Sequence, residues 1–311
     1  APLSRALAEA ERRLAEVAEE GGAELGPYVS DTLAAGGKRL RPLLVNLCGG
    51  AERDPRLLHA AVAVELLHMA TLVHDDVLDR ADQRRGRPTV VAAGGRAAAT
   101  ATGDLLFARA FAELTRSGSA DSVAELSHAS SALVRGELMQ RADAWSAHVS
   151  TERYLERCRL KTARLFEAAC RIGALLGPHP ECGDALGAFG DRIGLAFQIL
   201  DDVLDVSGPP ARTGKPRGTD LLDGTVTLPL IIARERDPDL RKLDLREIVS
   251  DRAQADAFCD RIAVSGALGT ARERALGYVA EAKAALFGLE LTDAQRRALD
   301  LVADGVVERY A

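Results

Sequence analysis

Apolar residues recur at three- and four-residue spacings along almost the whole chain, and that period leaves room for little but helices. Between Pro55 and Arg80, for example, Leu58, Val62, Leu66 and Met69 share one helical face. The spacing predicts further helices over 3–20, 25–34, 96–116, 120–143, 151–176 and 182–206, and again from Leu221 to the C-terminus. In the helix over 151–176, Tyr154, Leu155, Cys158, Thr162, Leu165, Phe166 and Ala169 form one continuous face. Breaks are expected at Gly21-Gly22, Gly36-Gly37 and Gly49-Gly50, and Pro42 suits a first helical turn. The segment Ser207–Gly218, rich in proline and glycine, reads as an irregular loop. No alternation of β-branched and aromatic residues is sustained, and the abundant Ala, Leu and Arg favour helix. With no solenoid period and no linker between halves, one all-α domain over 1–311 is expected.

The formal net charge of −6 offers no bulk attraction to nucleic acid, so phosphate binding would rest on local basic clusters. Cys48, Cys158, Cys170, Cys182 and Cys259 are scattered and lack CxxC spacing, which predicts neither a disulfide framework nor a zinc site and fits a reducing cytoplasm. No run approaches the roughly 18 apolar residues of a membrane span, and no signal peptide is visible. A soluble, cytoplasmic protein without a transmembrane segment is the expectation.

One word occurs twice. Asp75-Asp76-Val77-Leu78-Asp79 and Asp201-Asp202-Val203-Leu204-Asp205 are the same pentad, each ending an apolar predicted helix. Positions i and i+4 stack on a helix face, so Asp75 and Asp79 converge, as do Asp201 and Asp205, with Asp76 and Asp202 on the flank. Like charges at that spacing repel, and the negative end of the helix dipole adds to the cost. Two solvated acidic helix ends would account for a single copy. Two identical copies call for a cation, and hard oxygen ligands without His or Cys point to Mg²⁺ shared with substrate phosphates.

Basic residues stand near enough in sequence to complete such a site. Lys38 and Arg41 lie in Gly36-Gly37-Lys38-Arg39-Leu40-Arg41-Pro42, at a bend entering a helix whose N-terminus already favours phosphate. Arg84 and Arg85 follow the first pentad, Lys161 and Thr162 lie mid-helix, and Lys215 lies in the loop after the second pentad. Each alone reads as a solvated or snorkelling cation, and GGKR is not a P-loop. His68 and His74 alone read as core histidines.

Together these residues resemble the trans-type prenyl diphosphate synthases, or polyprenyl synthetases. The resemblance runs from GGKRLRP at 36–42 through HDDVLD at 74–79, RRG at 84–86, KT at 161–162 and FQILDDVLD at 197–205 to GKPRGTDL at 214–221 and TLPLI at 227–231. It implies the isoprenoid synthase fold: a large antiparallel helical bundle around a central cavity, forming a homodimer, with the two aspartate motifs facing each other across the cavity mouth. Asp75, Asp79 and Asp201 are then the principal ligands of three Mg²⁺ ions, with Asp76, Asp202 and Asp205 supporting. Arg84, Lys161, Thr162, Gln198 and Lys215 grip the allylic diphosphate, and Lys38, Arg41, His68 and Arg85 hold that of isopentenyl diphosphate. The implied chemistry is ionisation of the allylic diphosphate, head-to-tail attack by isopentenyl diphosphate and loss of a proton. One departure is Gly224-Thr225-Val226, where family members often carry a further lysine before TLP.

The growing chain would pass residues one turn before Asp75, namely Ala70 and Thr71, with Leu67 a turn further on. Short-chain members place bulky aromatics at the first two positions, so small residues here predict a product longer than farnesyl diphosphate, geranylgeranyl or longer. The alternatives are a class I terpene cyclase and a non-catalytic subunit of a heteromeric synthase. The second pentad and GGKRLRP speak against the first, and the intact pentads against the second.

Overall fold

The computed structural model describes residues 2–50, 54–84, 86–208, 217–248 and 252–308. In chain order the first helices are α1 (Pro2–Glu19), α2 (Gly22–Ala34), α3 (Leu40–Cys48), α4 (Pro55–Asp79), α5 (Val90–Thr115) and α6 (Ala120–Asp143). Then come α7 (Thr151–Cys158), a π-turn over Arg159–Ala163, α8 (Arg164–Leu176) and α9 (Gly183–Ser207). The C-terminal part holds α10 (Thr219–Leu222), α11 (Leu228–Arg236), α12 (Pro238–Lys242), α13 (Leu245–Ile248), α14 (Arg252–Val264), α15 (Ala267–Ala285) and α16 (Asp293–Glu308). Among the described residues the only strands are Gln83–Arg84 and Arg87–Pro88, a two-residue antiparallel pair.

Side-chain caps set several starts. Asp54 accepts from Arg56 N ahead of Pro55 in α4, Thr89 from Ala92 N at α5, and Ser150 from Arg153 N at α7. The periodicity placed the fifth helix from 96. It begins at Val90 and bends at Gly95, whose φ of 78° and ψ of 177° are not helical, so the helical period becomes continuous only beyond that residue. The helix expected over 151–176 is likewise interrupted by the π-turn, which inserts one extra residue into the face.

By contacts the chain forms two compact units: Ala1–Ser130 with Leu165–Gly187 and Gly288–Leu299, and Ser131–Arg164 with Ala188–Phe287 and Asp300–Ala311. In the first, α4 packs against α5, α3 and α1. Every residue from Ala60 to Leu67 is buried, Glu65 included. Burial of side chains such as Leu66 and Leu67 contributes about 1.5–3 kcal/mol each. The expectation that no run has the length and apolarity of a membrane span is corrected by α4, which holds an 18-residue window of mean hydropathy 1.5. Its apolarity has a local cause: 67% of that window is buried, so α4 is the core helix of its unit. In the second unit α11 packs against α15, α14, α12 and α7.

An ion-pair cluster ties α1, α4 and α5 together in the first unit. Arg13 donates Nε and Nη2 to the two oxygens of buried Glu113 at 2.9 Å each, and His59 Nδ1 lies 2.6 Å from Oε1. Burial pushes the Glu113 carboxyl up, but the hydrogen bonds and charges of Arg13 and His59 outweigh it and hold its pKa below the ordinary 4.5. A depressed carboxylate stabilises the fold above its unfolded pKa and loses that contribution as pH falls through the folded value. Urea unfolding at stepped pH is expected to show stability falling below pH 4.5, with a flatter acid limb in Glu113→Gln. An identical acid limb in the variant would contradict this role.

Candidate active site

From Glu65 onward α4 carries a polar stripe on an otherwise apolar helix. Glu65, His68, Asp75, Asp76 and Asp79 fall within roughly 100° of one another at 3.6 residues per turn. The burial of the three aspartates differs: Asp76 is buried, Asp75 half-buried and Asp79 exposed. Asp76 accepts from Arg84 Nε at 2.9 Å and Nη2 at 2.8 Å, an arrangement presented by the two-residue strand after the helix. Burial nevertheless raises the Asp76 pKa, with Arg84 opposing and the Asp79 charge adding to the rise.

Lys38 and Arg41 flank the start of α3. Lys38 is exposed, whereas the Arg41 guanidinium lies 4.4 Å over the Phe166 ring centroid and its buried Nε has no hydrogen-bond partner. Burial brings Arg41 down to about 10, against the charge of Glu65. A desolvated cation of this kind gains most from an anion that reaches it, because its lost hydration is already a fixed cost. His68 is half-buried on α4.

At the end of α9, in the second unit, the first two aspartates repeat the burial of Asp75 and Asp76, and the third differs. Asp201 is half-buried, while Asp202 and Asp205 are buried. Asp202 accepts from Tyr154 Oη at 2.6 Å and Gln198 Nε2 at 2.7 Å, and Thr162 Oγ1 donates to Gln198 Oε1 at 2.7 Å. A single chain of hydrogen bonds thus joins α7, the π-turn and α9. Burial and then the Asp220 charge push Asp202 up to about 8, against its two donors. Asp205 accepts from the backbone N–H of Asp220 at 3.2 Å, which anchors the segment after the expected loop.

Lys161 and Thr162 owe their placement to the π-turn and to two glycines. A Cβ at Gly136 on α6 would lie 2.6 Å from Lys161 N, and one at Gly194 on α9 would lie 2.5 Å from Ala163 Cα. Only glycine lets both helices approach the turn so closely. The next residue on α6, Glu137, takes Lys161 Nζ at 2.5 Å.

Arg85 and Lys215, both expected to bind diphosphate, lie outside the described residues, as does most of the 207–218 loop. Of the expected chain-length residues, Leu67 and Ala70 are fully buried; Thr71 is half-buried and its hydroxyl donates to His68 O at 2.7 Å. Sequence reasoning missed Tyr154, Glu137 and Asp220. Tyr154 lies on the continuous face expected over 151–176, where nothing in the pattern marks its hydroxyl. Asp220 stood in a quoted motif, but nothing in its spacing ties it to the pentad.

Each pentad thus ends an apolar helix and has hydrogen-bond donors fixed on its buried second aspartate. The polyprenyl synthetase family matches residues 24–263, and the chain belongs to that family, an enzyme family of prenyl diphosphate synthases. It is 43% identical to the heptaprenyl diphosphate synthase component 2 of Geobacillus stearothermophilus over 234 residues, 74% of this chain and 73% of that one. The fold is that of the isoprenoid synthases. It matches the heptaprenyl diphosphate synthase of Staphylococcus aureus with a TM-score of 0.91, at 30% identity over 99% of both chains. It matches the polyprenyl synthase of Caulobacter crescentus CB15, complexed with calcium and isoprenyl diphosphate, with a TM-score of 0.89 at 33% identity over 100% of this chain and 98% of that one. These relatives are synthases, which favours neither the cyclase nor the non-catalytic subunit.

The buried Tyr154–Asp202 bond gives a direct check. Tyr154→Phe removes one donor from a buried carboxyl and is expected to lower unfolding free energy by about 1–3 kcal/mol in denaturant titration. A variant as stable as the parent would show that this bond does not hold α7 to α9.

Proposed function

We propose that the chain condenses an allylic prenyl diphosphate with isopentenyl diphosphate, head to tail, in a magnesium-dependent reaction that uses both pentads. One observation carries the reading. In each pentad the second aspartate is buried and held by its own hydrogen-bond donors, while the first is half-buried.

The donor set suits magnesium, because it is carboxylate oxygen with neither His nor Cys in either pentad. When bound, three such ions would neutralise the diphosphate as it leaves the allylic carbon. Asp75, Asp79 and Asp201 serve as the principal ligands. Asp76, Asp202 and Asp205 support them from behind, through Arg84, through Tyr154 and Gln198, and through the Asp220 backbone. Lys161, Thr162, Gln198 and Arg84 are assigned to the allylic diphosphate. Lys38, Arg41 and His68 are assigned to the diphosphate of isopentenyl diphosphate, and the partnerless Nε of Arg41 supports that assignment.

The product is proposed to be longer than farnesyl diphosphate, since Ala70 and Thr71 are small, and the heptaprenyl synthase relatives support this. A homodimer is proposed too; Val134 and Leu138, one turn apart on α6, are 57% and 65% exposed and offer an apolar surface for a second copy. A cytoplasmic location is supported by five buried cysteines, none in a disulfide.

A steady-state assay with an allylic primer and isopentenyl diphosphate tests the central reaction. Activity is expected to vanish with EDTA, return with Mg²⁺, and fall by roughly a thousandfold or more in Asp75→Asn and Asp201→Asn. Full turnover in chelator, or in either variant, would refute the reading. For chain length, Thr71→Phe is expected to shift the product to shorter prenyl chains by mass spectrometry; an unchanged product distribution would remove Thr71 from the path.

A further inference from the structure

The GGKRLRP bend contains a third cation for which the proposed reaction has no task. Arg39 sits between Lys38 and Arg41 and caps α3 with its backbone in the left-handed region, φ 48° and ψ 39°. That conformation is disfavoured for any residue with a Cβ, so something must hold it.

The side chain supplies the hold. Its side chain is only 11% exposed and is turned toward Glu11, Leu33 and Glu65. Nη1 donates to Glu65 Oε1 at 2.7 Å, Nε to Glu11 Oε1 at 2.5 Å, and Nη2 to Leu33 O and Glu11 Oε2, both at 3.3 Å. All three nitrogens are engaged, which leaves Arg39 unsuited to receive a diphosphate. Glu65 is the buried member, on α4 one turn before His68, and its charge also acts on Arg41. One buried carboxylate is therefore paired to Arg39 and is felt by the neighbouring cation.

We propose that Arg39 and Glu65 form a positioning pair that holds the bend in its left-handed form, so that Lys38 and Arg41 are set for the diphosphate of isopentenyl diphosphate. This rests on the assignment of Lys38 and Arg41 to that substrate. Loss of Arg39 has two consequences. The bend relaxes, shifting Lys38 and the first turn of α3. Glu65, left without its partner, then draws Arg41 toward itself and away from the substrate.

The test is a double-mutant cycle read on two Michaelis constants, with melting temperatures measured alongside. Arg39→Gln is expected to raise KM for isopentenyl diphosphate roughly tenfold while leaving KM for the allylic primer within about twofold. Arg39→Lys, which keeps the charge but not the fork, is expected to fall between. Because the lone carboxylate is removed as well, Arg39→Gln/Glu65→Gln should bind isopentenyl diphosphate no worse than either single variant. Additive effects, an unchanged KM in Arg39→Gln, or equal rises in both constants with a lowered melting temperature would overturn the pair. Lys38→Ala separates the two levels. If it leaves KM for isopentenyl diphosphate unchanged, the substrate assignment fails; if it raises that KM and Arg39→Gln does not, only the positioning pair fails.

Discussion

Negative charge gathered at the C-terminal end of a buried helix is the constraint around which both halves of this protein are built. Each carboxylate there opposes the helix dipole and its own neighbours, and burial removes the water that would relieve it. The chain meets this twice with the same local arrangement and different partners. Asp76 is met by Arg84, delivered on a two-residue strand, and Asp202 by Tyr154 and Gln198 from two helices. What remains at each helix end is a half-buried aspartate next to the buried one.

Several cations are likewise fixed by their own neighbours. Arg41 is laid over Phe166, Lys161 is held by Glu137 beneath a turn that two glycines admit, and Arg39 is tied to Glu65. Side chains held this way lose little further entropy when a ligand arrives, which is how a site achieves orientation.

Much of this was legible in the chain before any coordinates. The helices expected over 55–80, 120–143 and 182–206 followed from the apolar period and lie within one residue of those observed, and the repeated pentads were plain in the sequence. The π-turn was not legible, since one inserted residue leaves the apolar pattern nearly intact. The partners of the buried aspartates were hidden for a different reason: Tyr154 and Asp202 are distant in sequence, and a buried tyrosine carries no pattern of its own. The apolar stretch of α4 was underestimated by counting unbroken runs, where the mean over a window tells more.

Calorimetric titration of inorganic pyrophosphate into the purified protein, with and without Mg²⁺, tests the central claim most directly. The account predicts binding that requires the divalent ion and is lost when either Asp75 or Asp201 becomes Asn. Equal affinity in chelator, or binding that survives both substitutions, would contradict it.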